Sequence, residues 1–251
     1  MTEINTSETK KTKLVLAYDG KDFCGWQVQK DVPTVQGTLQ DAIEKITGTW
    51  LPVCGCSRTD SGVHAINYVC HTDYISIPEE KIPLALNTYL PSGIAVKAAE
   101  TVPSDFHARY SCTGKEYIYK ISNSSYLDPF LYGRAMFYPK SLDHESMNKL
   151  ASAICGKHDF SAFMAQGSPV ADTVRNVKYC DVARDGDIIT VKVCADGFLY
   201  NMVRIIVGTL VWGSQNGLCE DDIKEIIASC DRKNAGFTAE ACGLYLNKIF
   251  Y

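Results

Sequence analysis

The strongest constraint on the fold is the order in which two hydrophobic periodicities follow one another. KLVLAYDG, residues 13–20, reads as a strand running into a turn. Val35, Leu39, Ile43 and Ile46 recur at spacings of four, four and three, which predicts one apolar helix face ending at Gly48. WLPVCGC predicts a short strand and VHAINYVCHTDY a longer one. A second helix is expected from Pro78 to Asn87, and IAVKAAETV closes the series as a strand. Strand, helix, strand, strand, helix, strand is the ferredoxin-like split βαβ order. The second half repeats it loosely. KEYIYKIS is a strand, Met147, Leu150, Ala151 and Ile154 mark a helix, and RNVKYCDVARDGDIITVKVCAD reads as a hairpin turning at RDGD. Asn201 to Trp212 is apolar nearly all round, hence a buried helix. Ile223, Ile226, Ile227 and Cys230 mark another helix, and GLYLNKIFY a last strand. The expectation is an α+β protein of two ferredoxin-like halves, joined into one mixed, mainly antiparallel sheet flanked by helices, with a site between the halves. Residues 1–12 are expected to be a disordered tail, 13–108 an N-terminal α+β subdomain, and 109–251 a C-terminal one.

Composition narrows the function classes. With 251 residues, 46% hydrophobic and 22% charged, the chain can bury a core without disulfides or metals. A net charge of −4 argues against coating nucleic acid by bulk charge but leaves room for a local basic cleft. The N-terminal residues have no apolar core of the signal-peptide kind. MVRIIVGTLVW is too short to span a bilayer and carries Arg204, so no membrane association and a cytoplasmic location are expected. The eleven cysteines show no Cys-x-x-Cys and sit singly in apolar contexts, reading as small buried hydrophobes in a reducing compartment.

Nucleotide-binding, zinc-protease and nucleophile-elbow signatures are absent. Cys54, Cys56, His64 and His71 fall close enough together to raise zinc, but Cys-x-Cys is an unusual ligand spacing and His71 sits in a strand-like run. No metal and no cofactor are expected. The most unusual segment is CGCSRTDSGVHA, residues 54–65, set between two strands. By itself Asp-Ser-Gly is ordinary turn chemistry.

SRTDSGVHA closely resembles the G-R-T-D-x-G-V-H-A signature of the TruA-type tRNA pseudouridine synthases, departing from it only at Ser57. YDGKDFCGWQVQ followed by VQGTLQDAI resembles that family's first block. FHAR with KEYIY, HDFSAF with GFLYNMVRIIVGTL, and AEACGLYL resemble the later blocks, in order and at the family's spacing. Tyr68 and Thr72 stand where many relatives carry Gln and Phe.

The resemblance implies the pseudouridine synthase fold and isomerisation of uridine to pseudouridine in the anticodon stem-loop of tRNA, at positions 38, 39 and 40, by a homodimer without a cofactor. It makes Asp60 the catalytic carboxylate, as nucleophile or as base. Tyr117 is placed against the extruded uracil, where an aromatic ring offers a stacking face. Arg204 is implied as the partner that keeps a desolvated Asp60 ionised. Arg58 is a candidate for a phosphate or for the gap left by a flipped base. His107 and Arg109 are further substrate-binding candidates, with a structural role at the junction of the halves as the alternative. A non-catalytic tRNA-binding or RNA-folding protein on the same scaffold is the rival reading. A glycoside hydrolase would need a second, opposed acid, and none has a comparable setting.

Overall fold

The computed structural model describes residues 10–167 and 170–251. The chain forms two compact units, one comprising residues up to Cys112 together with Tyr251, the other Thr113–Phe250. The division therefore falls after Cys112, four residues beyond the expected boundary at Ala108. The last residue is returned to the first unit, where the Tyr251 hydroxyl donates to the Ala108 carbonyl at 2.8 Å.

The first unit contains β1 (Lys10–Tyr18), α1 (Val35–Thr47), β2 (Cys54–Gly55), β3 (His64–Asp73), α2 (Ile82–Asn87) and β4 (Ile94–Pro103). β1 lies between β4 and β3, and β2 pairs with β3, every ladder antiparallel. That is the ferredoxin-like arrangement the periodicity predicts. α1 begins where Thr34 accepts from the Gly37 N–H and ends at Gly48, whose φ of 73° only glycine adopts readily. Its buried face carries Val35, Leu39 and Ile43, and the inward residues Leu14, Leu16 and Tyr18 of β1 are likewise excluded from solvent.

Three local expectations change. β1 starts at Lys10, so Lys10, Lys11 and Thr12 are strand rather than tail, and residues 1–9 lie outside the described residues. The WLPVCGC strand shrinks to Cys54–Gly55. The helix expected from Pro78 opens as a single 3-10 turn, and α-helix proper begins at Ile82.

The second unit contains β5 (Gly114–Ser122), β6 (Met136–Phe137), α3 (His144–Ser152), β7 (Gly156–Asp159), β8 (Val174–Asp185), β9 (Ile188–Ala195), α4 (Met202–Asn216), α5 (Glu220–Ser229) and β10 (Leu244–Phe250). Its strands run in the order β10, β5, β9, β8, β7, with β6 parallel beside β5. Setting aside β6, β7 and α5, this is again strand, helix, strand, strand, helix, strand in the order of the first unit. The β8–β9 hairpin turns at Gly186-Asp187, with Gly186 at φ 55°. α4 is buried almost throughout and stops at Gly217.

Among the described residues no disulfide forms, and no helix is long and apolar enough to cross a membrane. Only Cys56, Cys70, Cys180 and Cys194 are fully buried, while Cys219 and Cys230 are exposed. The reading of all eleven as core residues is thus corrected. Apolar flanking residues do not bury a cysteine that alternates to the outer face or ends a helix.

Candidate active site

Arg58, Thr59 and Asp60 lie in the connection from β2 to β3. Residues 18–26 hold that connection in place. The Trp26 N–H donates to the Thr59 carbonyl at 3.1 Å. The Tyr18 and Thr59 hydroxyls bond each other at 2.9 Å inside the core. The Tyr68 hydroxyl donates to the Ser57 carbonyl, and its ring stacks on Trp26 with centroids 4.1 Å apart and planes at 26°. Gly25 sits at φ +84°, and a Cβ there would lie 2.4 Å from the Thr59 carbonyl oxygen. The YDG and GWQ residues therefore form a clamp on the backbone next to Asp60. Beyond it the Val63 N–H bonds to the Asp60 carbonyl at 3.1 Å, with Gly62 at φ +79°, the pattern of a type II turn. The Asp-Ser-Gly turn is real, and it presents a half-buried Asp60 on a backbone fixed from both sides.

Beside this loop the first unit has a shallow pocket of about 180 Å³. Arg58, His107, Arg109 and Tyr110 line its rim, over Trp26 and Cys54. His107 organises the rim. Its Nδ1 accepts the N–H groups of Arg109 and Tyr110, each at 3.2 Å, so the neutral ring carries its proton on Nε2, which lies 3.5 Å from the Cys54 Sγ. Both ring nitrogens are thus engaged within the protein. His107 thus holds the 107–111 loop. Arg58 and Arg109 are exposed, and neither guanidinium has a carboxylate partner among the described residues.

Tyr117 and Arg204 belong to the second unit. Tyr117 is buried on β5 and meets Phe198 edge-on, with centroids 5.0 Å apart. Tyr119, on the same face, is wholly buried. Its hydroxyl donates to the Glu240 carbonyl at 2.7 Å, and desolvation raises its pKa far above the ordinary tyrosine value. Arg204, near the start of α4, donates from Nε to the Ala239 carbonyl at 2.7 Å and from a terminal nitrogen to the Asn201 side chain at 2.8 Å. Its guanidinium is therefore fixed by the AEACGLYL segment and does not snorkel along the helix. Asn201 holds the left-handed conformation at φ 60° ahead of α4.

The family model described as tRNA pseudouridine synthase matches residues 14–111 and 150–251. The chain belongs to the tRNA pseudouridine synthase family. It is 44% identical over 245 residues to the tRNA pseudouridine synthase A of Ruminiclostridium cellulolyticum, covering 96% of this chain and all of that one. The tRNA pseudouridine synthase A of Thermoanaerobacter sp. is also 44% identical, over 243 residues, with the same coverage. The tRNA pseudouridine synthase A 2 of Clostridium tetani is 40% identical, covering 96% of this chain and 99% of that one.

Two departures from the family pattern are explained by packing. Tyr68 is fully buried and supports the Ser57 carbonyl, and Thr72 donates to the Pro52 carbonyl at 2.8 Å. Each serves the scaffold under the signature loop.

The residues weighed for zinc are rearranged. His64 is tied to the YDG turn, its Nδ1 3.0 Å from the Gly20 N and 3.1 Å from Asp19 Oδ1. Cys54 and His71 instead gather with His107, their ligand atoms within 4.8 Å of one another. The chemistry of this trio does not suit a dication. The Ala108 N–H donates to His71 Nδ1 at 3.1 Å, so His71, like His107, carries its proton on Nε2, where a metal needs a lone pair. Burial, then Lys11 and His107, push the His71 pKa down to about 4 despite Asp73. Burial also raises the Cys54 pKa above its ordinary value, against the pull of Arg109 and Lys11, and the thiol stays protonated. His71, His107 and the Cys54 thiol make a hydrogen-bonded joint between β2, β3 and the 107–111 loop, with Lys11 and Arg109 nearby. Sequence reasoning missed the clamping role of Tyr18 and Trp26.

Proposed function

We propose that this protein isomerises uridine to pseudouridine in the anticodon stem-loop of tRNA, at positions 38, 39 and 40, with Asp60 as the catalytic carboxylate. The observation that carries the reading is the clamp on the Asp60 loop, built from the residues of the family's own motifs. A binding protein does not need a carboxylate held on so constrained a backbone.

The reaction breaks the N1–C1′ bond, with the electron pair leaving on uracil. The base turns while held, and its C5 bonds to C1′. The C5 proton departs and N1 ends protonated, so substrate and product are isomers and no redox partner enters. Asp60 drives departure of the base, either by bonding to C1′ or by taking a sugar proton. Tyr117 supplies a ring face to the extruded uracil, and its hydroxyl is suited to help remove the C5 proton. Arg204 serves as the cation that keeps the carboxylate ionised in a site that must exclude water, since a freed uracil would otherwise be lost. Arg58 and Arg109 contact the RNA backbone. Two copies of the chain act together on one tRNA in the cytoplasm. These assignments rest on the family motifs that the residues occupy.

Pseudouridine mapping in tRNA from a strain lacking the protein tests the reading. Loss of pseudouridine at positions 38–40, restored by the wild-type chain, is expected. An unchanged map contradicts it.

A further inference from the structure

Asn201 stands at the start of α4 but does not act as its cap. An asparagine that caps a helix has an extended backbone, and its side-chain oxygen accepts from the first turn. Asn201 instead has φ 60° and ψ 10°, and its side chain makes no cap bond. Its carbonyl still accepts the Ile205 N–H at 3.0 Å, so the helix begins in register. The side-chain oxygen accepts from Arg204 Nη1 at 2.8 Å. The Ala239 carbonyl accepts from Arg204 Nε at 2.7 Å, and the Ala239 N–H returns a bond to the Arg204 carbonyl at 3.1 Å. A guanidinium is planar, so acceptors at two of its nitrogens fix its plane as well as its place.

We infer that Asn201 is a positioning residue for the isomerisation: its left-handed backbone and amide oxygen hold Arg204 in the orientation in which it serves the Asp60 carboxylate, without neutralising it. This deepens the proposed function and rests on it. Two features of the residue support it. The first is that a side chain is present at all. Glycine takes a positive φ without steric cost, and the chain uses it at the other end of the same helix, at Gly217. Among the described residues only Asp31, Asn201 and Cys230 take a positive φ with a side chain. The backbone turn alone therefore does not call for asparagine, whereas the bond to Arg204 does. The second is that the acceptor is neutral, as is the Ala239 carbonyl. Aspartate tolerates the same backbone and would accept the same bond, but its charge would compete with Asp60 for the cation. A cation oriented before the reaction begins needs no reorganisation during it, and here that order comes from uncharged groups.

The test uses the full chain, unmodified tRNA, and the variants Asn201→Gly and Asn201→Asp. Asn201→Gly keeps the turn and removes the acceptor, so a residue needed only for its backbone would be replaced without loss. We expect it to fold and to keep the wild-type KM, with kcat lowered by roughly 10- to 100-fold, the scale for a reacting group displaced by about 1 Å. Asn201→Asp keeps both turn and acceptor, and a negative charge at a helix N-terminus favours folding. It too should keep KM and lose kcat, because it neutralises Arg204. The third measurement repeats Asn201→Gly in an Arg204→Lys background. Lysine keeps the charge but has no planar fork to be held at two nitrogens, so Asn201→Gly should slow it far less than it slows wild type. Wild-type kcat in Asn201→Gly or in Asn201→Asp, a loss confined to KM, or an equal slowing in both Arg204 backgrounds would overturn the positioning role. Wild-type turnover is measured in parallel. Turnover that Asn201→Gly leaves unchanged defeats only this role, whereas no pseudouridine from the wild-type enzyme defeats the proposed function as well.

Discussion

Replacing Gly25 by alanine probes how Asp60 is held without touching any group that takes part in the reaction. Gly25 adopts φ +84°, and a left-handed backbone costs an L-residue roughly 1–2 kcal/mol. Its new Cβ would also lie 2.4 Å from the Thr59 carbonyl oxygen and 3.1 Å from the Asp60 carbonyl carbon, whereas real Cβ atoms essentially never approach within 3.0 Å. Both obstacles are backbone, so no side chain can swing aside. The Arg58–Asp60 segment or the Gly25 turn must move by about 0.6 Å or more. A displacement near 1 Å at a reacting group can cost on the order of 100-fold in rate. We therefore expect Gly25→Ala to lower single-turnover pseudouridine formation by roughly 10- to 100-fold. Unfolding free energy should fall by only about 1–3 kcal/mol. Denaturant unfolding separates the two effects, since a protein that remains folded at the assay temperature cannot owe a 100-fold loss to instability. A folded Gly25→Ala variant with the wild-type single-turnover rate would refute the clamp.

Arg204→Met is expected to reduce activity sharply and to couple with Asp60→Asn in a stability double-mutant cycle, because the proposed partner of the carboxylate is lost. Full additivity of the two substitutions in stability would separate the two residues. His71 sets a pH dependence of folding. Its folded pKa of about 4 lies below its ordinary 6.5, so between those values the unfolded chain binds a proton that the folded chain does not, and stability rises with pH over that window. The slope contributed is at most about 1.4 kcal/mol per pH unit, and it should vanish in His71→Gln; equal slopes for the two proteins would contradict the assignment. Exhaustive chelation should leave isomerisation intact, and an activity lost on chelation and restored by zinc would place a metal on Cys54, His71 and His107.

The architecture was legible where periodicity is strong. Leu14 and Leu16 alternate on β1, and Val35, Leu39 and Ile43 line α1, because each element buries one face. β7 escaped notice because Gly-Lys-His-Asp sits at the end of its sheet with a single neighbour and little apolar alternation. β6 is two residues long. Thr12 looked like tail because it is polar, yet it is fully buried, its hydroxyl accepting the Ile75 N–H at 2.9 Å. The signature around Asp60 was legible as a motif. The parts of the site that only three dimensions reveal are the clamp of Tyr18, Trp26 and Tyr68 on that loop and the closure of the 107–111 turn by His107. Each depends on contacts between segments distant in sequence, which leave no local periodicity. The contacts of His107 are invisible in the sequence for this reason, since a histidine beside an arginine in a loop gives no sign that both its nitrogens are engaged within the protein.

The central claim is that Asp60 performs the chemistry while other residues hold the RNA. Asp60→Asn is nearly isosteric and removes only the carboxylate's charge and nucleophilicity. Purified Asp60→Asn, incubated with unmodified tRNA and assayed for pseudouridine, should yield none above background while binding the tRNA within a few-fold of wild type, because affinity comes mainly from phosphate contacts elsewhere. Appreciable turnover by this variant would contradict the account.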